Sequence, residues 1–219
     1  MLFRSDLAAN TIIKETLRKH FPEDGWLSEE DPDNADRLIQ RRVWIVDPLD
    51  GTRDFINRNP EFAVSIALVE EQKPVLGVVY NPITKELFFA TKNGGSFYGE
   101  KKITVKPYTP SSKISLLVSQ SEFRRGEWKE FADQFDITPM GGCAYKMSRI
   151  ARGDADGTFT LSPKSEWDIC AGKLIVEEAG GLVARLDGSD LQFNQDIPRF
   201  DGLIYCNSKV VLSRILESI

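Results

Sequence analysis

The sequence predicts an α/β protein, an α+β layered sandwich in which helix layers alternate with sheet layers. Residues 43–98 contain several short apolar segments divided by turn residues, as in an antiparallel meander. After residue 110, strand-like segments alternate with helical ones, which is typical of an α/β layer. With 219 residues, 41% of them hydrophobic, the chain is long enough to bury a large core in both parts.

The first half is expected to open with a helix from Asp6 to His20, because apolar residues recur on one face before Pro22. The polar segment 32–42 is interpreted as an exposed loop. Val43–Val46 is a continuous apolar run, which predicts a strand buried on both faces, and a loop with two acids follows it. The remaining strands of the meander are predicted at residues 62–69, 74–80, 87–90 and 96–98.

The second half is predicted to alternate between strands and helices. The pattern changes after Pro107 and Pro110, so we place a soft boundary near Tyr108, which divides the chain into residues 1–108 and 109–219. The predicted strands are residues 114–119, 158–161, 182–186 and 203–205. The predicted helices are residues 127–135, 144–152, 167–179 and a last one from Ser208.

Composition excludes several classes of function. A formal net charge of −5 gives no basic face for a nucleic-acid polymer, although a local site for a small phosphate is compatible with it. His20 is the only histidine, so triads and multi-histidine metal sites lack their parts. Cys143, Cys170 and Cys206 form no CxxC pair, which favours a reducing cytoplasm over a disulfide framework. No apolar run reaches the roughly 18 residues of a membrane span.

Asp47 and Asp50 follow the buried strand and flank a φ-locked proline, so their loop can direct two carboxylates towards one point. Oxygen ligands of this kind suit Mg²⁺, with phosphate and water oxygens completing its coordination. The backbone N–H groups of Gly51 and Thr52 are then placed to meet a phosphate. An exposed acidic turn is the alternative. The acids are three positions apart rather than the two of the D-x-D-G-T nucleophile motif, which disfavours a covalent aspartyl-phosphate route.

Four ordered motifs resemble the inositol-monophosphatase superfamily. Residues 44–52, W-I-V-D-P-L-D-G-T, with Phe55 after them, resemble its D-P-[IL]-D-G-T-x-x-F signature, and residues 167–172 resemble its W-D-x-x-A-G signature. Ser28-Glu29-Glu30 resembles the family's metal-binding Glu-Glu step, and Asp6 lies where these enzymes carry an aspartate. The usual helices ahead of that aspartate are absent from this sequence, so the fold is expected to be shortened at its N-terminus.

The resemblance implies a Mg²⁺-dependent phosphatase with two or three metal ions. It assigns Glu29, Asp47 and the Leu49 carbonyl to one Mg²⁺, and Asp47, Asp50 and Asp168 to a second. It also makes Thr52, Asp6 and Glu29 catalytic residues around the attacking water, and it implies a homodimer. Taken alone, Asp168 could instead cap the start of its helix.

Substrate choice remains open between inositol monophosphate and 3′-phosphoadenosine-5′-phosphate. Residues 58–62, Ser28-Glu29-Glu30 and Lys146 resemble the bacterial nucleotidases that hydrolyse the second compound, and Lys146 would contact its second phosphate. Gly51, Thr52, Lys146 and Asp168 are therefore the candidate substrate-binding residues. A surface lysine on a helix is the alternative for Lys146. For the whole chain, the alternative is a weakened, truncated paralogue that binds a phosphorylated metabolite or a partner without turnover.

Overall fold

Two β-sheets with a pair of helices packed between them organise the protein, in a computed structural model that describes residues 3–110 and 113–219. A seven-stranded sheet comes from the first half and a five-stranded sheet from the second. The predicted layered fold class is confirmed. None of the helices in these described ranges is long and apolar enough to cross a membrane.

The first sheet has its strands in chain order, β1 to β7. Strand β1 runs parallel to β2, and each later neighbour is antiparallel, which confirms the predicted meander. The strands are β1 (Gly25–Ser28), β2 (Arg42–Asp50), β3 (Ala63–Glu70), β4 (Lys73–Asn81), β5 (Glu86–Thr91), β6 (Gly95–Tyr98) and β7 (Lys101–Ile103).

The second sheet has the order β12-β14-β10-β8-β9, and a separate two-stranded ribbon joins β11 to β13. Its strands are β8 (Ser115–Ser119), β9 (Asp136–Met140), β10 (Gly157–Thr160), β12 (Leu182–Arg185) and β14 (Leu203–Cys206), and the ribbon is β11 (Lys164–Ser165) with β13 (Arg199–Phe200). The helices are α1 (Phe3–His20), α2 (Thr52–Ile56), α3 (Gln120–Arg125), α4 (Cys143–Ala151), α5 (Glu166–Glu178) and α6 (Lys209–Leu216), with 3₁₀ turns at Ala35–Ile39 and Lys129–Phe131.

Helix α5 lies against the first sheet because small residues let the two backbones approach. A Cβ at Gly77 of β4 would lie 2.7 Å from the carbonyl oxygen of Ala171, and one at Gly172 would lie 2.6 Å from Sδ of Met147 on α4. Real Cβ atoms do not come that close, so larger residues at either glycine would push the helix away. The Ala-Gly pair of the second signature therefore fixes the depth of α5 between the sheet and α4.

Two apolar clusters share the interior. The larger one joins residues of both halves around α4 and α5. The smaller one lies around α6 and packs three aromatic rings around Phe159: Trp128 at 4.6 Å, Phe131 at 5.1 Å and Phe135 at 6.4 Å between ring centroids. The larger cluster contains residues of both halves, and the boundary near Tyr108 remains a prediction.

Two predictions about local structure are wrong, and some elements were not predicted. The helix expected at 127–135 is a single 3₁₀ turn, because helix α3 ends at Gly126, whose φ of +83° stops it before the aromatic residues. The expected loop 32–42 contains a 3₁₀ turn and buries Arg37 rather than exposing it. Strand β9 went unpredicted; it contains Pro139 and lies at the sheet edge, where a missing N–H is tolerated.

Candidate active site

The irregular end of β2 positions the first two acids. Pairing with β3 is regular as far as Asp47 opposite Ser65, then shifts before Asp50 pairs with Ala63. Pro48 and Leu49 occupy this bulge, and the Leu49 N–H donates to Asp47 Oδ1 at 2.9 Å. The acids thus belong to a bulged strand end and not to the loop expected after residue 46.

Three carboxylates converge at this bulge. Asp47, Asp50 and Asp168 each offer an oxygen, and the three oxygens lie within 4.8 Å of one another. Asp47 and Asp50 are 1% and 4% exposed, which excludes the exposed acidic turn. Asp168 lies in the first turn of α5 and accepts the Ser165 N–H through Oδ2 at 2.8 Å. Ser165, and not Asp168, is the residue at the N-cap position.

Asp50 also connects the two halves of the chain. Its carboxylate accepts the N–H of Cys143 at 2.7 Å and that of Tyr145 at 3.2 Å, both in the first turn of α4. Gly51 follows with a φ of +92°, and a Cβ there would lie 3.0 Å from the Glu61 carbonyl oxygen. Only glycine suits this position, because the chain must turn sharply beside packed backbone.

Glu29 and Asp6 lie on the β1 and α1 side of β2, and neither belongs to the group of three acids whose oxygens converge among the described residues. Strand β1 pairs Ser28 with Val46, and the Glu29 N–H donates to the Val46 carbonyl at 3.3 Å. Asn10 of α1 accepts the Ser28 hydroxyl at 2.7 Å, which ties the helix that carries Asp6 to the Glu29 segment. Asp6 Oδ1 is buried and has no hydrogen-bond partner among the described residues. Glu29 is exposed at the residue level.

Burial and mutual repulsion shift the acids towards protonation. Burial raises the pKa of Asp50 to about 7, and the Asp168 charge adds to this while the N–H donors of α4 oppose it. Burial also raises the pKa of Asp47, with further contributions from the charges of Asp50, Glu29 and Asp168. The pKa of Asp168 is raised by burial as well. A bound cation would remove this repulsion, so the cluster has the electrostatics of a metal site.

A cavity of about 700 Å³ opens beside the cluster. Asp50, Gly51, Thr52, Lys146 and Asp168 line it, so five predicted residues share one space. The Thr52 hydroxyl donates to the Leu49 carbonyl oxygen at 3.1 Å. The volume of the cavity falls in the range of small-molecule sites.

Lys146 is buried on α4, with 7% exposure, so the surface-lysine alternative is wrong. Burial, together with the Lys164 ammonium, lowers the pKa of Lys146. No carboxylate of the described residues lies within 4.0 Å of its ammonium, although Lys164 has Glu122 at 4.0 Å. A buried cation that opens onto a cavity without a close counterion is suited to an anionic ligand.

Lys164 is a cavity residue that the sequence analysis did not select. It lies on β11, whose pairing with β13 holds it at the cavity wall. Its position four residues before Asp168 is the only signal in the sequence, and that spacing alone does not distinguish it from a surface lysine.

Comparisons with known proteins agree with the motifs. The inositol monophosphatase family matches residues 3–219. The chain is 38% identical over 192 residues to the 3′(2′),5′-bisphosphate nucleotidase CysQ of Salmonella typhimurium, covering 86% of this chain and 78% of the relative. It is 36% identical over 205 residues to inositol monophosphatase 2 of Solanum lycopersicum, covering 87% and 76%. The structure of the extragenic suppressor protein suhB from Bartonella henselae matches with a TM-score of 0.80 and 30% identity, over 99% of this chain and 88% of that one.

Asp50 should make the metal-free protein lose stability as the pH rises. Its pKa is about 7 in the folded protein and 3.8 for an unperturbed aspartate, so the stabilising protonated form is lost as the pH rises through the folded value. Between pH 5 and pH 8 in chelator, the free energy of unfolding of the wild type should fall by about 2 kcal/mol more than that of Asp50→Asn. Urea unfolding measures this, with the exposed Asp133→Asn as control. If the free energy of unfolding changed with pH in parallel for wild type and Asp50→Asn, Asp50 would not have the raised pKa on which this prediction depends.

Proposed function

The chain belongs to the inositol monophosphatase family of Mg²⁺-dependent phosphomonoester hydrolases, and we propose that it removes one phosphate from a small metabolite that carries two. A nucleotide such as 3′-phosphoadenosine-5′-phosphate has this chemistry. The observation that carries the proposal is the buried Lys146 in the cavity of the acid cluster, whose ammonium has no carboxylate of the described residues within 4.0 Å. One phosphate then lies at the acids and the other contacts the lysine.

The donor set fits Mg²⁺. The candidate ligand atoms are all oxygens, and several belong to buried acids with raised pKa values. Asp6 Oδ1 lacks a hydrogen-bond partner among the described residues. We assign Glu29, Asp47 and the Leu49 carbonyl to one ion, and Asp47, Asp50 and Asp168 to a second. When bound, Mg²⁺ supplies a Lewis acid that lowers the pKa of water and neutralises phosphate charge.

The side chains around the acids orient the attacking water. The Thr52 hydroxyl donates its proton to the Leu49 carbonyl, so its oxygen lone pairs accept a hydrogen bond from water. Asp6 Oδ1, for which the described part of the chain offers no hydrogen-bond partner, accepts in the same way, and Glu29 completes the group. In the reaction, the water oxygen bonds to phosphorus and the ester P–O bond breaks. The leaving alcohol oxygen takes up the proton that the attacking water gives up, so the products are the free alcohol and inorganic phosphate.

The remaining residues hold the substrate. The backbone N–H groups of Gly51 and Thr52 are assigned to the phosphate that is removed. Asp168 keeps one oxygen on the Ser165 N–H, and its other oxygen faces the substrate side of the cluster in this proposal. Lys146, with Lys164 beside it, contacts the second phosphate through a charge-assisted hydrogen bond.

Inositol monophosphate is the rival substrate, and relatives named as inositol monophosphatases support it. A single phosphate, however, would leave the Lys146 charge without a partner. The complete set of clustered acids argues against a weakened paralogue that binds without turnover, because unneutralised buried acids destabilise the fold. The homodimer and the cytoplasmic location stay predictions.

Asp47→Asn should abolish turnover, because Asp47 is assigned to both ions. We expect kcat to fall more than tenfold, whereas the exposed Asp201→Asn should leave it unchanged, and excess chelator should stop the wild type. Phosphate release with and without Mg²⁺ measures all three. Retention of more than roughly a tenth of wild-type kcat, a loss of only about 1.4 kcal/mol, would refute the bridging role.

Lys146→Met should impair only the substrate with two phosphates, because it removes the charge and keeps the side-chain volume. We expect kcat/KM to fall roughly ten- to a hundredfold on 3′-phosphoadenosine-5′-phosphate and to change little on inositol 1-phosphate. The exposed Lys101→Met is the control. Equal losses on both substrates would place Lys146 at the shared phosphate or in the local fold, against the proposal.

A further inference from the structure

A buried polar network joins the two segments that carry Glu29 and Asp168. Its members are Arg37, Asn194 and Glu166, none of which is assigned to the metal or the substrate. We infer that this network positions the two segments. It sets the distance between Glu29 and Asp168 and thereby the affinity of the site for a divalent cation. The inference rests on the metal assignment of the proposed function.

Glu166 is the centre of the network and is fully buried. Its carboxylate accepts the N–H of Asn194 at 2.7 Å and that of Gln195 at 2.9 Å, one on each oxygen. Its own N–H donates to the Pro198 carbonyl at 2.9 Å. The loop 194–198 is therefore attached to the first residue of α5, and Asp168 lies two residues further along that helix.

Arg37 attaches the same loop to the N-terminal half. Arg37 Nη1 donates to Asn194 Oδ1 at 2.8 Å, and Asn194 Nδ2 donates back to the Arg37 carbonyl at 3.0 Å. Arg37 Nη2 also donates to the Gln195 carbonyl at 2.8 Å. Arg37 is 2% exposed, so these contacts are made away from bulk solvent, and Asp33 neutralises the guanidinium charge through two hydrogen bonds.

The Arg37 segment lies directly beside the strand that ends at Glu29. A Cβ at Gly25 of β1 would lie 3.3 Å from Arg37 Cα, so the 3₁₀ turn and β1 are in close contact. Strand β1 runs from Gly25 to Ser28, and Glu29 follows at once. A continuous path thus leads from Glu29 through β1, Arg37 and the loop to Glu166 and Asp168.

This path is the fold's means of holding two acids that repel each other. Glu29 and Asp168 are both carboxylates assigned to the cation site, so the two segments that carry them repel each other when no cation is bound. Without the network, the two segments would separate. The cation would then have to draw them together, which lowers the affinity of the site for the cation. Substitution of residues that orient the metal ligands without contacting the metal themselves typically weakens metal binding ten- to a hundredfold.

Two substitutions test the device at different points. Glu166→Gln replaces one acceptor oxygen with an amide that cannot accept, which leaves one backbone N–H of the loop without its partner. Asn194→Gly keeps the positive φ of +59° accessible, leaves Glu166 and its two N–H donors in place, and removes two of the three hydrogen bonds between Arg37 and the loop. Should Glu166→Gln fail to fold, Asn194→Gly tests the same inference.

The matched control concerns the C-terminal half of the same helix. Lys173 of α5 is buried and pairs with Asp190 at 3.2 Å, and Asp190 also pairs with Lys73. Asp190→Asn weakens these polar contacts to α5 without touching the path to Glu29. All three variants should therefore lose some thermal stability, so a loss of stability does not by itself distinguish the test variants from the control.

We would titrate Mg²⁺ calorimetrically into the metal-free wild type and variants at pH 8. The inference predicts that Kd rises about tenfold in Glu166→Gln and Asn194→Gly and less than about twofold in Asp190→Asn, with kcat at saturating Mg²⁺ nearly unchanged in all. Unchanged Kd in the first two variants, or an equal rise in the control, overturns it. A wild type that binds no Mg²⁺ overturns the proposed function and this inference together, whereas wild-type binding with unaffected variants overturns this inference alone.

Discussion

Three carboxylates held within 4.8 Å of one another, two of them buried and the third half-buried, are the constraint on which the rest of the structure depends. Like charges at this distance oppose folding, and burial makes their ionised forms costlier still. The fold offsets part of this cost with backbone N–H donors, one or two to each acid, from the β2 bulge, the start of α4 and the start of α5. What remains is a negative site that favours a divalent cation and an anionic phosphate beside it.

The geometry of the acids is set by packing at a distance from them. Helix α5 carries Asp168, and its depth depends on the glycines that let it approach β4 and α4. Helix α4 supplies two N–H donors to Asp50 and also carries Lys146 on its buried side. The same two helices therefore place the acids and the substrate cavity, so a change in their packing affects metal and substrate together.

Much of the site follows from local sequence. An apolar run ending in two acids and a glycine predicted the strand and the convergence of Asp47 and Asp50, and the Trp-Asp motif placed Asp168 at a helix start. The meander also follows from its turns. These features depend on residues close together in the chain, which periodicity and turn chemistry describe.

The remainder depends on contacts between distant segments. Arg37 stands in a polar stretch that resembles a loop, and its burial requires Asn194, which lies 157 residues further on. Lys146 has the spacing of an ordinary helical lysine, and only the packing of α4 shows that it opens into a cavity. The aromatic residues after Gly126 have a helical period, yet they fill one cluster from a 3₁₀ turn and a loop. In each case tertiary packing overrides the local pattern.

Anomalous diffraction from crystals grown with Mn²⁺, which replaces Mg²⁺ at oxygen sites and scatters anomalously, tests the central claim most directly. We predict a peak within coordination distance of Asp47, Asp50 and Asp168, with the Leu49 carbonyl and Glu29 at a second peak that shares Asp47. A fully occupied peak elsewhere on the protein, with none at these three acids, would contradict it.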